Sequence, residues 1–122
     1  MEEGLCCFLS VPISSTLRKR LNGSQYNLHD AIFFVEESVG DREEHMASIK
    51  YNDAFYAVCD QETIKNNTVL FVDRETGDTF KCTTQSAALV AVNLALYNVG
   101  FEEYQDTAND NQSVVDFPEE YF

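Results

Sequence analysis

An almost entirely apolar helix near the end of the chain constrains the fold most strongly. Residues 87–99 are apolar or aromatic except for Asn93 and Asn98. Ser86 is a good N-cap residue before this segment, and Gly100 is a residue that ends helices after it. At about 100° per residue, the apolar side chains form two separate stripes. One stripe is enough to pack a helix onto a sheet, so the second stripe requires another cover.

The second stripe consists of Ala87, Val90, Leu94 and Tyr97. Three covers are open: other parts of the same chain, a second copy of the chain, or a foreign protein or peptide. Large exposed apolar patches usually mark interaction sites. The stripe therefore favours a non-enzymatic protein-interaction module or complex subunit, with self-coverage as the structural alternative.

Short apolar or alternating segments before this helix predict β-strands. They span residues 5–11, 31–35, 45–51, 54–59, 68–72 and 79–83. A short helix is predicted over residues 17–21, and residues 60–67 are predicted to form a loop. This order predicts an α+β fold: an antiparallel sheet of about six strands with a short N-terminal helix and one packed C-terminal helix.

Acidic residues dominate the chain and are concentrated near its end. There are 21 acidic and 8 basic residues, a formal net charge of −13, and from Glu102 onward there is no basic residue. We expect residues 1–103 to form one domain and residues 104–122 to form a flexible acidic tail. The tail's aromatic side chains either form a motif that folds on binding or are incidental to a solvated end. They are Phe117, Tyr121 and Phe122.

The charge also indicates which partners to expect. A negative body repels phosphate and anionic lipid, so direct binding to nucleic acid or a membrane is disfavoured. The partner is expected to be another protein or peptide, with a basic protein or a second copy as options. An alternative is an acidic decoy that mimics nucleic acid to block a basic protein. The basic cluster Arg18-Lys19-Arg20 is expected to be a solvated helix face rather than a phosphate contact.

Location and cofactors follow from what the sequence lacks. No segment reaches the ~20 apolar residues that span a bilayer, and the first residues carry acids where a signal peptide carries bases. We expect an intracellular protein, cytoplasmic or nuclear. The cysteines have no zinc spacing and are expected to be reduced and buried, so no metal or cofactor is predicted. They are Cys6, Cys7, Cys59 and Cys82.

Catalytic patterns are weak. Pairing of Cys59 with His29 or His45 would give a thiol and an imidazole, but nothing in the spacing requires it. There is no glycine-rich phosphate loop and no serine nucleophile elbow. We therefore predict no catalytic residue.

Four short segments resemble the pleckstrin-homology superfold, and within it the phosphotyrosine-binding domains. They are residues 55–60, 69–74, 79–82 and 86–88. The resemblance implies an adaptor whose peptide groove lies between strand 54–59 and the last helix, where a peptide adds as an extra strand. The implied groove residues are Phe55, Ala57, Val90, Leu94 and Tyr97. No basic patch for phosphotyrosine is obvious, so an unphosphorylated or basic peptide is expected.

Overall fold

A computed structural model describes residues 5–23, 32–36, 42, 44, 46, 54–95, 100–110 and 114–115. Within these residues the chain forms six strands and four helices, which confirms the α+β class. In chain order they are β1 (Leu5–Leu9), α1 (Ser15–Leu21), β2 (Ile32–Glu36), β3 (Phe55–Cys59), α2 (Gln61–Asn66), β4 (Thr68–Asp73), β5 (Thr79–Thr83), α3 (Ala87–Ala95), α4 (Phe101–Asp110) and β6 (Val114–Val115). No helix of the described residues is long and apolar enough to cross a membrane.

The sheet is mixed, so the prediction of an antiparallel sheet is wrong in that respect. Its strand order is β2-β1-β3-β4-β5-β6. β1 is parallel to both β2 and β3, and β6 is parallel to β5, whereas β4 is antiparallel to both of its neighbours. A parallel pair needs a crossover, and α1 lies in the connection from β1 to β2. The apolar pattern marks strands without recording their direction, which is why this feature was missed.

This arrangement places several strand ends on one side of the sheet. β4 alone among the six described strands runs in the opposite direction. The strands β1, β2, β3, β5 and β6 therefore all end at the same edge, which we call the carboxyl edge. The loop before α1 and the whole of α2 follow β1 and β3 directly, so both lie at this edge.

The main core lies between the sheet and the helices α1, α3 and α4. Along β1, Leu5, Cys7 and Leu9 belong to this core, whereas Cys6 and Phe8 belong to a smaller cluster on the opposite face. Side chains of a strand alternate between faces, so β1 is buried on both. The smaller cluster also contains Met46, Tyr56 and Val58.

Residues 104–110 and 114–115 are folded, although they belong to the segment expected to be a flexible tail. Residues 104–110 belong to α4, and residues 114–115 form β6. Tyr104 and Ala108 are buried in the main core, and the Asn93 side-chain amide of α3 donates a hydrogen bond to the Tyr104 hydroxyl at 3.1 Å. The prediction missed this helix because its acidic residues suggested disorder, although Phe101, Tyr104 and Ala108 share one face.

Two other predicted elements differ from the structure. The predicted loop over residues 60–67 contains α2. Of the predicted strand over residues 45–51, only Met46 is described, and its backbone is helical. The predicted helix over residues 87–99 is described as far as Ala95, and residues 96–99 lie outside the described part.

Candidate binding groove at the carboxyl edge

The predicted peptide groove beside β3 is not formed. Val90 and Leu94 are 0 % and 1 % exposed, and Ala57 is also buried. β3 pairs with β1 on one side and with β4 on the other, so neither side of β3 is free to pair with an added strand. Phe55 is half-buried and stacks on Phe101, with ring centroids 5.4 Å apart. The other predicted residues lie outside the described part of the chain: Tyr97, Phe117, Tyr121 and Phe122.

A different surface is open at the carboxyl edge, and α1 forms one side of it. Ser14 caps α1 by accepting a hydrogen bond on its Oγ from the backbone N–H of Leu17 at 3.1 Å. Leu21 is fully buried and anchors the end of the helix in the core. Because Leu21 faces inward, the preceding Arg20 lies exposed at the surface.

The helix α2 forms the opposite side, and its capping sets which residues face outward. The Asp60 carboxylate accepts from the backbone N–H of Glu62, and the Thr63 hydroxyl accepts from the backbone N–H of Asp60, both at 3.0 Å. This reciprocal capping box holds Thr63 in the interior, where it is 1 % exposed. The next residue, Ile64, therefore points outward. Its exposed fraction is 51 %, and among the described residues it is the only large hydrophobic side chain that is exposed.

Between these helices lies a cavity of about 330 Å³, which we call the α1–α2 groove. It is lined by Ser14, Thr16, Leu17, Arg20, Thr63, Ile64 and Asn67. None of these residues is acidic. Lys65 follows Ile64 in α2 and is exposed, and Glu62 of the same helix forms an ion pair with Lys81. The described lining thus has an apolar wall, formed by Leu17 and Ile64, and a basic rim, formed by Arg20, in a chain that is strongly acidic overall.

A second cavity of about 500 Å³ lies on the other side of α1 and is electrically balanced. It is lined by Leu9, Ser10, Val11, Pro12, Ile13, Arg18 and Glu36. The Arg18 guanidinium lies over the Phe34 ring, 5.0 Å from its centroid, so it is already engaged in a cation–π contact. With one base and one acid among its described lining residues, this cavity has less preference for a charged ligand than the α1–α2 groove.

Cys7 and Cys59 form a buried thiol pair beneath the same edge. Their Sγ atoms are 3.5 Å apart. The shared hydrogen bond raises the pKa of the Cys7 thiol and lowers that of Cys59, and burial adds to the rise at Cys7. In the sheet register Cys7 faces Ala57 and Leu9 faces Cys59, so the two cysteines are diagonal neighbours with Cα atoms about 8 Å apart. A disulfide at that separation would require backbone movement.

The fold is that of a small α+β domain built on a mixed sheet. The chain belongs to the family described as domain of unknown function DUF6924, whose model matches residues 34–116. The match includes α2 but begins after α1. One wall of the α1–α2 groove therefore lies within the matched region, and the other lies before it. No curated protein matches the chain.

The sequence reasoning did not identify this groove, although some of its signals were visible. The basic cluster is predicted to be a solvated helix face; Lys19 and Arg20 are exposed, whereas Arg18 is half-buried against Phe34. Ile64 is an isolated apolar residue in a polar segment, which gave no periodic pattern. The Asp60 and Thr63 pair has the spacing of a capping box, and this pattern could have revealed α2.

Proposed function

We propose that this chain is a non-enzymatic, intracellular protein-interaction module whose α1–α2 groove binds an extended segment of a partner protein. The observation that supports this proposal most directly is the exposure of Ile64 beside Arg20. An exposed apolar side chain beside a positive charge, with no acidic residue in the described lining, suits a ligand that carries an apolar anchor and a carboxylate.

The expected affinity is moderate. Full burial of the ligand's apolar anchor contributes about 1.5 to 3 kcal/mol. An ion pair with Arg20, which is exposed to solvent, adds no more than about 1 kcal/mol. The overall charge of −13 opposes the approach of an acidic partner. The attraction of the basic rim therefore acts at short range, within the ~8 Å over which salt at physiological strength leaves charges unscreened.

A photo-crosslinking experiment in the native cell tests the proposal. A benzophenone-bearing amino acid placed at position 64 should give a covalent adduct with a discrete partner protein on irradiation. Glu75 is the matched control position, because it is also exposed but lies in the turn between β4 and β5 at the opposite edge. Adducts of equal yield from both positions, or none from position 64, would contradict the proposal.

A second candidate function is the acidic decoy, and α4 supports it. Glu102, Glu103 and Asp106 are exposed on a helix, so they form a carboxylate array on a folded surface. A basic partner would bind there and not in the α1–α2 groove. Replacing the three carboxylates by amides should abolish binding of such a partner, and raised salt should weaken the wild-type complex. A partner that binds the triple variant normally would rule out this function.

A further inference from the structure

We infer that the α1–α2 groove binds the chain's own segment of residues 116–122. This inference rests on the proposed function, because the segment would compete with a partner for the same surface. The segment docks in the groove of its own chain and not in that of a second copy.

The first support is the point at which the described chain ends. β6 is parallel to β5, and Cys82 faces Val115 in their register. β6 therefore ends at the carboxyl edge, where the groove lies. The Thr84 backbone N–H, just beyond the end of β5, donates to the Asn67 carbonyl at 2.9 Å. Asn67 lines the groove, so the groove begins beside the end of β5.

The segment of residues 116–122 is also long enough to reach the groove. The distance from β6 across β5 to β4 is two strand spacings, or about 10 Å. Seven extended residues span about 23 Å, so the segment from residue 116 to residue 122 can cross from β6 to Asn67 and continue towards Arg20. No rearrangement of the described strands is required.

The third support is chemical complementarity. Residues 116–122 read Asp-Phe-Pro-Glu-Glu-Tyr-Phe, with three acidic residues, three aromatic residues and no basic residue. The groove offers the opposite set: Arg20 for a carboxylate, and Leu17 and Ile64 for an aromatic ring. Among the described residues that line the groove, none carries an acidic side chain that would repel the segment.

Disulfide trapping in the full chain tests the inference. Ile64→Cys combined with Tyr121→Cys should form an intramolecular disulfide when glutathione disulfide is added. Each thiol loses one hydrogen, and glutathione disulfide is reduced to two glutathione molecules. Glu75→Cys combined with Tyr121→Cys is the control, since Glu75 lies at the opposite edge of the sheet. Docking raises the effective concentration of the two thiols, so the groove pair should close about tenfold faster than the control pair.

The product also identifies the source of the segment. A monomer that has lost two hydrogens, with the bond mapped between positions 64 and 121, supports the inference. A covalent dimer would overturn it in favour of a second copy. Equal rates for the two pairs would overturn it as well. Adding Arg20→Glu should slow closure of the groove pair, and an unchanged rate would contradict the predicted charge pairing.

The failure of this inference is distinguishable from the failure of the proposed function. If position 64 still crosslinks a partner while the groove pair closes no faster than the control, the segment is not the occupant and the proposed function stands. If the groove pair closes rapidly but position 64 captures no partner, the intramolecular contact stands and the proposed function fails.

Discussion

The helices α3 and α2 show opposite relations between sequence and burial. α3 is the most apolar helix, yet Ala87, Val90 and Leu94 are almost completely buried. α2 is short and polar, yet it presents an exposed isoleucine beside a groove. The difference arises from neighbours: α4 and α1 pack in the same core as α3, whereas α2 lies at the carboxyl edge. An apolar sequence thus indicates how much cover a helix needs without revealing whether its own chain supplies that cover.

The largest effect is expected at Leu94, because a charge placed there tests directly whether α3 is part of the core. Leu94→Glu would place a charge at a site that is 1 % exposed, and a buried unpaired charge is more costly than a cavity. We expect a loss of more than about 4 kcal/mol in the free energy of unfolding, enough to unfold the chain. Urea denaturation followed by circular dichroism measures it. A variant that stays fully stable but loses only association would show that α3 is a binding surface after all.

The next effect concerns the cover that α4 supplies. Phe101 contacts the rings of Phe80 and Phe55, with centroids 4.8 and 5.4 Å away. Phe101→Ala should lower the free energy of unfolding by about 3 to 5 kcal/mol. The control is Gln105→Ala on the same helix, which loses only a 3.3 Å hydrogen bond to the Thr79 carbonyl and should cost no more than about 1 kcal/mol. Equal costs for the two variants would show that α4 does not seal the core.

The extent of successful prediction depends on whether a feature is local. The runs that form β1, β3, β4 and β5 were recognised because each combines apolar residues with turn signals at its ends. The parallel direction of β1 and β3 was not, since it depends on a crossover that the strands themselves do not encode. α4 was not predicted because its acidic residues suggested disorder, although Phe101, Tyr104 and Ala108 give it one apolar face. Ile64 could not be recognised as exposed without knowing that Thr63 faces inward.

A smaller effect is expected on alkaline titration, which tests how well the sheet excludes water. Burial raises the pKa of the Cys6 thiol to about 11 from 9.0. The folded state therefore holds this proton more tightly than the unfolded state. Its contribution to stability is complete below pH 9 and is lost as the pH rises through 11. The loss should be at most about 2.7 kcal/mol.

The measurement is denaturant unfolding at a series of pH values from 8 to 11. Cys6→Ser should show a shallower loss of stability than the wild type, because a serine hydroxyl does not titrate in this range. Identical pH profiles for the two proteins would indicate that Cys6 reaches water in the folded state.

The most direct test of the central claim is a paired measurement on Ile64→Glu. The free energy of unfolding of this variant is expected to stay within about 0.5 kcal/mol of the wild type, because the side chain is 51 % exposed. The same substitution should weaken recovery of the partner captured from position 64 by at least about tenfold, equivalent to 1.4 kcal/mol. Glu75→Gln, at the opposite edge, should change neither quantity. An Ile64→Glu variant that recovers the partner at the wild-type level would contradict the claim that the α1–α2 groove is the binding surface.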